Sequence, residues 1–143
     1  MSILGIDYGA KKIGLAKSDQ NQKIAMPLRT VFNHNQPALL IELQSVCQAE
    51  NIEKIVVGVP VSLSASQGNL LRDKDLQNQQ VKEVLSFIIW LRGNINLPVE
   101  MEDERLSTKM ANRLQRDLVK KNGDDPVAAM LILQSYLDKI NFK

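Results

Sequence analysis

The spacing of apolar residues predicts three short strands, followed by strands that alternate with helices. Pro27, inside the third strand, indicates an edge or irregular position, because proline cannot donate to a hydrogen-bond ladder. The almost wholly apolar residues 127–133 predict that the last helix is buried. Strands are predicted at residues 3–7, 13–18, 24–31, 55–59 and 99–102, and helices at residues 37–51, 76–91, 107–121 and from 125 onward.

The order of these elements predicts an α/β fold. Three consecutive strands favour an antiparallel meander, and later strands separated by helices favour parallel pairing. The continuous apolar run at residues 55–59 is typical of a central strand covered on both faces. Residues 60–74 show no periodicity and predict a long loop. This order is that of the ribonuclease-H-like fold, a mixed sheet in which an antiparallel meander is followed by parallel strands, with helices on both faces.

The composition fits a single domain over residues 1–143, because the chain is 44% hydrophobic and 24% charged. No apolar run approaches the roughly 20 residues that a membrane helix needs, and no secretion signal is recognisable. A cytoplasmic protein is therefore expected. Cys47 is the single cysteine, so it can form no internal disulfide, and its place on an apolar helix face predicts core packing.

Basic side chains are concentrated in two places. Residues 105–121 hold six basic residues and one acid, a local net charge of +5 in a chain whose net charge is +2. Lys11, Lys12 and Lys17 form a second cluster near the N-terminus. Such clusters are either solvated surfaces or binding surfaces for a polyanion, and the charges alone leave both interpretations open.

Carboxylates stand at three predicted element ends. Asp7 ends the first strand, Asp103 and Glu104 end the last strand, and Asp125 precedes the proline that opens the final helix. In a mixed sheet these ends can converge on one point. Each acid also has an ordinary structural interpretation: Asp125 as a helix N-cap, Asp7 as a turn residue, and Glu104 as the partner of a surface arginine.

Converging carboxylates suit Mg²⁺ or Mn²⁺, which prefer oxygen ligands, waters and substrate phosphates. Without a cation they would repel one another. Two such ions about 3.5–4 Å apart would clamp the attacking water and the leaving oxygen of a displacement at phosphorus. The chemistry that this pattern favours is metal-dependent hydrolysis of phosphodiester bonds.

Four segments, taken in order, resemble one known family. They read GIDYGAKKIGLAKSD at 5–19, VVGVP at 56–60, DERLST at 103–108, and DPVAA followed by ILQ between 125 and 134. These segments are similar to the YqgF family of Holliday-junction-resolvase-like proteins, also called RuvX, whose members are named pre-16S rRNA nucleases. The likeness covers nearly the whole chain.

The resemblance implies a ribonuclease-H-like nuclease of the bacterial cytoplasm that acts in maturation of pre-16S ribosomal RNA. By position, Asp7, Glu104 and Asp125 match the family's catalytic and metal-binding acids. Glu104 is preferred over Asp103, because adjacent strand residues point to opposite faces. The phosphate contacts that the resemblance implies are Lys11, Lys12, Arg105, Lys109 and Arg113.

The chain departs from the family pattern at two places. In the loop at 60–74, Ser62, Ser64, Ala65 and Gln67 stand where members commonly have Asn, Asp, Gly and Glu. Lys12 replaces the usual arginine, which keeps the charge but loses the two-pronged grip on a phosphate. Both departures concern how substrate is held.

Other functions remain alternatives to an RNA nuclease. A four-way DNA junction is the nearest alternative substrate, and a non-catalytic RNA-binding module is the alternative of another class. A P-loop is excluded because Leu15 and Ala16 stand where that motif needs Lys and Ser or Thr. The chain is expected to be a monomer or a homodimer, with Phe87, Ile89 and Trp90 as the predicted dimer surface.

Overall fold

The structure is a computed structural model that describes residues 1–60, 78–103 and 125–142, with Asp125 described by its backbone alone. The predicted helix at 107–121, and the predicted loop at 60–74 beyond its first residue, lie outside the described residues. The strands are β1 (Ser2–Asp7), β2 (Lys12–Ser18), β3 (Ala25–Phe32), β4 (Ile52–Val59) and β5 (Val99–Asp103), and the helices are α1 (Gln36–Ala49), α2 (Gln79–Asn94) and α3 (Asp125–Asn141).

The five strands form one sheet in the order β3-β2-β1-β4-β5. β1, β2 and β3 pair antiparallel, whereas β4 pairs parallel with β1 and with β5. The predicted mixed sheet is confirmed, and so is the interior, parallel position of β4. Pro27 lies in the edge strand β3, beside a register shift opposite Ala16, as its lack of an N–H predicts.

The two faces of the sheet carry two separate cores. Leu4 and Ile6 of β1 pack with α1 and α2 on what we call the α1/α2 face. Ile3 packs with α3 on the opposite α3 face. At Gly5 a side-chain Cβ would lie 2.7 Å from the Cβ of Leu133, so α3 packs directly on the backbone of β1. Helices therefore cover both faces, as predicted.

Asparagine side chains begin α1 and α2. The Asn35 carboxamide oxygen accepts a hydrogen bond from the backbone N–H of Ala38 at 3.1 Å. Asn78 accepts from the N–H of Gln80 at 2.9 Å. Both contacts satisfy N–H groups that have no partner within a helix. No residue between 126 and 137 in α3 is exposed, which confirms the prediction that this helix is buried.

Several element boundaries differ from the predictions by one or two residues, and the start of β4 and both ends of α2 differ by three. β4 begins at Ile52 and not at residue 55, because Glu53 and Lys54 hide the apolar pattern while Lys54 still pairs with β1. α2 continues to Asn94, past the predicted end at residue 91. Its last turn is attached to β5, since the guanidinium of Arg92 donates to the carbonyl of Val99 at 2.7 and 3.0 Å.

Burial tests two predictions about apolar side chains. Cys47 is buried in the core, and burial raises the pKa of its thiol to about 11. Phe87 is also buried and Trp90 is half-buried, whereas Ile89 is 71% exposed. The predicted dimer surface is wrong, because these three side chains do not form one exposed patch.

None of the described helices is both long and apolar enough to cross a bilayer.

Candidate functional site

Asp7 ends the central strand of the sheet. β1 is buried through Ile6, which is fully inaccessible, and Asp7 itself is half-buried. Because successive side chains of a strand alternate between faces, Asp7 lies on the α3 face together with Ile3 and Gly5. A rigid, buried strand thus fixes the position of a carboxylate at the edge of the sheet.

Glycines stand beside Asp7 on both neighbouring strands. Gly14 of β2 is its register partner. On the other side, Gly58 follows Val57, and Val57 is the register partner of Ile6. Neither glycine has a side chain that could cover the Asp7 carboxylate. The register neighbours of Asp7 therefore contribute only backbone beside its carboxylate.

α3 begins at the edge where Asp7 lies. The carbonyl of Ala129 is close to Gly5, 3.1 Å from where a Cβ would stand. Further along the helix, Gln134 accepts a hydrogen bond at 2.9 Å from the N–H of Ala25, at the opposite end of the sheet. α3 therefore runs antiparallel to β1. Asp125 precedes Ala129 by one turn, about 6 Å along the axis, toward the Asp7 edge.

β5 separates its acids between the two faces. Glu102 is the register partner of Gly58, and its Oε1 accepts a hydrogen bond from Lys139 Nζ at 2.9 Å, which places it on the α3 face. Asp103, which is buried, alternates to the α1/α2 face. Asp103 is thereby directed away from the face on which Asp7 lies. Glu104 lies outside the described residues, so its assignment remains a prediction.

Glu102 is a buried acid that the sequence analysis missed. Its side chain is 5% exposed, and the Lys139 side chain paired with it is 45% exposed. Its second oxygen, Oε2, has no hydrogen-bond partner among the described residues. The sequence did contain a signal for this acid. Glu100 and Glu102 are two residues apart on one predicted strand, so their side chains must lie on the same face of the sheet.

A second polar cluster joins β4, β5 and α3. Lys54 Nζ donates to the Tyr136 hydroxyl at 3.0 Å, and that hydroxyl donates to Glu100. Burial, followed by the bond to Glu100, raises the pKa of Tyr136. The bond to Tyr136 is the main cause that raises the pKa of Lys54. The hydrogen bonds from Lys54 to Tyr136 and from Tyr136 to Glu100 attach α3 to both β4 and β5.

The turn after Asp7 presents two exposed lysines. Lys11 and Lys12 are exposed between β1 and β2, at the same edge as Asp7. The turn is tight, because a Cβ at Gly9 would lie 2.3 Å from the carbonyl oxygen of Lys12. Asn33, the residue directly after β3, holds this turn: its side-chain amide donates to Gly9 O at 2.9 Å, and its backbone N–H donates to Lys11 O at 2.8 Å. No sequence signal pointed to Asn33.

The structure brings part of the predicted site together. Asp7, the start of α3, and the two lysines share one edge of the sheet. Within the described parts of the chain, no group of three or more His, Cys, Asp or Glu side chains could hold a metal ion. Two of the three predicted ligands, Glu104 and the Asp125 side chain, fall outside that description. Also outside it are the predicted phosphate contacts Arg105, Lys109 and Arg113.

A mixed five-stranded sheet of this order, with a carboxylate ending its central strand, defines an α/β protein of the ribonuclease-H-like class. The chain belongs to the RuvX family. The family model, described as "RuvX: Holliday junction resolvase", matches residues 1–139. The resemblance drawn from four sequence segments is thereby confirmed.

Rickettsial relatives match the chain over most of its length. A protein of Rickettsia peacockii (strain Rustic), named "Putative pre-16S rRNA nuclease", is 36% identical over 96% of this chain and 86% of its own. A Rickettsia bellii (strain OSU 85-389) protein of the same name is 35% identical over 97% of this chain and 87% of its own.

Solved resolvase structures share the fold. Thermus thermophilus RuvC, in complex with a Holliday junction substrate, matches with a TM-score of 0.56 at 14% identity, covering 99% of this chain and 96% of that one. The fowlpox virus resolvase, bound to Holliday junction DNA, matches with a TM-score of 0.51 at 12% identity, covering 98% and 99%. At these identities the likeness concerns the fold alone, and it confirms the ribonuclease-H-like prediction.

Proposed function

We propose that this protein is a metal-dependent nuclease of the cytoplasm that hydrolyses RNA phosphodiester bonds, with precursor 16S ribosomal RNA as its substrate. The observation that carries the proposal is the position of Asp7. It ends the central strand on the face covered by α3, and α3 begins with Asp125 at the same edge. The name of the rickettsial relatives supports the choice of RNA.

Asp7, Glu104 and Asp125 are the residues that would hold Mg²⁺ or Mn²⁺. Their chemistry fits, since carboxylate oxygens are the ligands these ions prefer, and the N-terminus of α3 favours an ionised acid at Asp125. Two bound ions would supply an activated water and stabilise the leaving oxygen. Without such ions, carboxylates that converge on one point would repel one another and the phosphate.

The lysines of the turn would hold the substrate. Lys11 and Lys12 are exposed at the Asp7 edge, where their charges can neutralise phosphates on either side of the bond to be cut. Arg105, Lys109 and Arg113 would extend this surface from the segment that follows β5. Phosphate contacts of this kind position a strand without reading its sequence.

The test is cleavage of labelled precursor rRNA with Mg²⁺, Mn²⁺ or EDTA. We expect metal-dependent cleavage by the wild-type chain and a loss of at least about 100-fold in Asp7→Asn, which removes one ligand charge at constant size. Asp138→Asn is the matched control, because Asp138 is exposed in the C-terminal half of α3. Cleavage in EDTA, or full activity of Asp7→Asn, would refute the proposal.

A four-way DNA junction is the second candidate substrate, because the matching family model is described as a Holliday junction resolvase. The same reactions are therefore run on a labelled junction. Cleavage of the junction in preference to RNA selects this alternative. Binding of RNA that is unchanged by Asp7→Asn, with no cleavage of either substrate, selects a non-catalytic RNA-binding module.

A further inference from the structure

A cavity of about 230 Å³ lies on the α1/α2 face, directly below the turn that follows Asp7. Tyr8 and Asn33 form its wall on the sheet side, and the starts of α1 and α2 form the other walls. It is smaller than the roughly 300–1,000 Å³ clefts that enclose a drug-sized ligand. It is therefore suited to one flat group of a larger molecule.

Three aromatic rings line the apolar side of this cavity. The ring centroids of Tyr8 and Phe87 are 4.7 Å apart, and those of Phe87 and Trp90 are 5.8 Å apart. Phe87 is buried and fixes the other two, which are half-buried and accessible at the cavity. Fixed aromatic side chains at an open cavity are groups on which nucleic-acid bases stack.

The polar side of the cavity carries amides and one charged side chain of each sign. Gln36, Gln79 and Asn33 line it. Each carboxamide offers both a donor and an acceptor, which is what the edge of a base requires. Lys82, also in the lining and exposed, can neutralise the phosphate attached to such a base. Glu83 also lines the cavity, and its carboxylate accepts a hydrogen bond from the Gln79 side-chain amide at 3.4 Å. With the carboxylate bonded to Gln79, the flat rings, the amides and the Lys82 cation together match a nucleotide.

The cavity and the candidate site share one edge of the sheet. Tyr8 directly follows Asp7, but alternation places Tyr8 against the core of the α1/α2 face and Asp7 on the α3 face. A strand whose phosphate lies at Asp7 can cross the turn at Lys11 and Lys12 and place a neighbouring base in the cavity. A base that enters must be unpaired, because a paired base is stacked inside a duplex.

We propose that the cavity lined by Tyr8, Phe87 and Trp90 binds an unpaired base of the RNA strand on which the Asp7 site acts. The proposal rests on the proposed nuclease function for the identity of the strand. It adds a requirement for single-stranded RNA beside the cleavage point, which neither the carboxylates nor the lysines impose.

Trp90 makes the proposal directly testable, since it is the only tryptophan in the chain. The experiment titrates the full chain with a short unstructured RNA in EDTA, so that no cleavage occurs, and follows tryptophan fluorescence. We expect saturable quenching by single-stranded RNA and none by the same sequence as a duplex. Quenching by the duplex, or RNA binding in a gel shift without quenching, would overturn the proposal.

Two matched variants test the role of the cation. Lys82→Gln is expected to lower the slope of log affinity against log salt by about 0.7, the contribution of one phosphate contact on a single strand. Lys23→Gln makes the same change at an exposed residue between β2 and β3, at the far end of the sheet, and is expected to leave the slope unchanged. Equal slopes for both variants would contradict the proposal that Lys82 contacts a phosphate of the bound strand.

The cleavage assay separates this proposal from the nuclease itself. Metal-dependent cleavage without quenching of Trp90 would refute base binding in the cavity and would support the proposed nuclease function. Quenching by single-stranded RNA but not by the duplex, with no cleavage, would support base binding in the cavity and refute the proposed nuclease function. Quenching by single-stranded DNA that is stronger than that by RNA overturns the assignment of RNA as the ligand.

Discussion

Gly5→Ala tests whether the close packing of α3 on β1 positions the candidate site. A Cβ at this residue would lie 2.7 Å from Leu133 Cβ and 3.1 Å from the Ala129 carbonyl. Carbon atoms pack at about 3.5–4.0 Å, so α3 must move away from β1 by about 1 Å. Leu133→Ala would not relieve the contact, because the atom that clashes is the Cβ that alanine retains.

The expected cost follows from that displacement. Overpacking of a core costs about 1–3 kcal/mol. Alanine has less conformational freedom than glycine in the unfolded chain, and this difference offsets about 0.4–1 kcal/mol of the cost. We therefore expect Gly5→Ala to lower the free energy of unfolding by about 1–2 kcal/mol in urea denaturation. A 1 Å displacement of the start of α3 from Asp7 should also reduce cleavage by about 100-fold.

Gly93→Ala is the matched control. Gly93 lies in α2, and a Cβ there would meet nothing within 4 Å. This substitution should raise the free energy of unfolding by about 0.5–1 kcal/mol, as alanine does in a helix, and leave cleavage unchanged. If the two variants are equally stable and equally active, the reasoning from the Gly5 contact is refuted.

Three further predictions concern groups outside that contact. The Cys47 thiol, with its pKa raised to about 11, should react with iodoacetamide at pH 8 only as the chain unfolds, so alkylation as fast as in urea would contradict its burial. Lys139→Met should cost about 1–3 kcal/mol by leaving Glu102 unpaired, and adding Glu102→Gln should restore most of it in urea denaturation. Asn33→Ala removes the bond to Gly9 and should raise KM for RNA with little change in kcat. A fall in kcat at constant KM would contradict the role of Asn33 in holding the turn that binds the substrate.

The fold was predictable because its signals are local. The apolar run ending at Val59 and the proline at position 27 each indicated where its strand lies in the sheet. The predicted boundaries were wrong where polar residues continue a strand, as at Lys54. Lys54 belongs to β4 because it pairs with β1, and β1 lies far away in the sequence. The predicted dimer surface failed because adjacency in a helix does not reveal that Phe87 and Ile89 point in different directions.

The candidate site was predictable only in part. A carboxylate at an element end is a local pattern, and it indicated Asp7, Asp125 and the pair at 103–104. The resemblance to a family then selected Glu104 over Asp103. Asn33 and the Glu102–Lys139 pair could not be found from the sequence. Each acts through a contact with a distant segment, and such contacts exist only once the register of the sheet is known.

The packing of Leu133 against Gly5 has a consequence for the order in which the protein folds. These residues lie far apart in the sequence, and contacts of this kind form slowly because a long loop must close first. A chain with its sheet paired but α3 undocked would hold Asp7 without the start of α3 at the same edge of the sheet. If the proposed site needs both Asp7 and Asp125, cleavage would begin only after this long loop has closed, and an incompletely folded nuclease would leave cellular RNA intact.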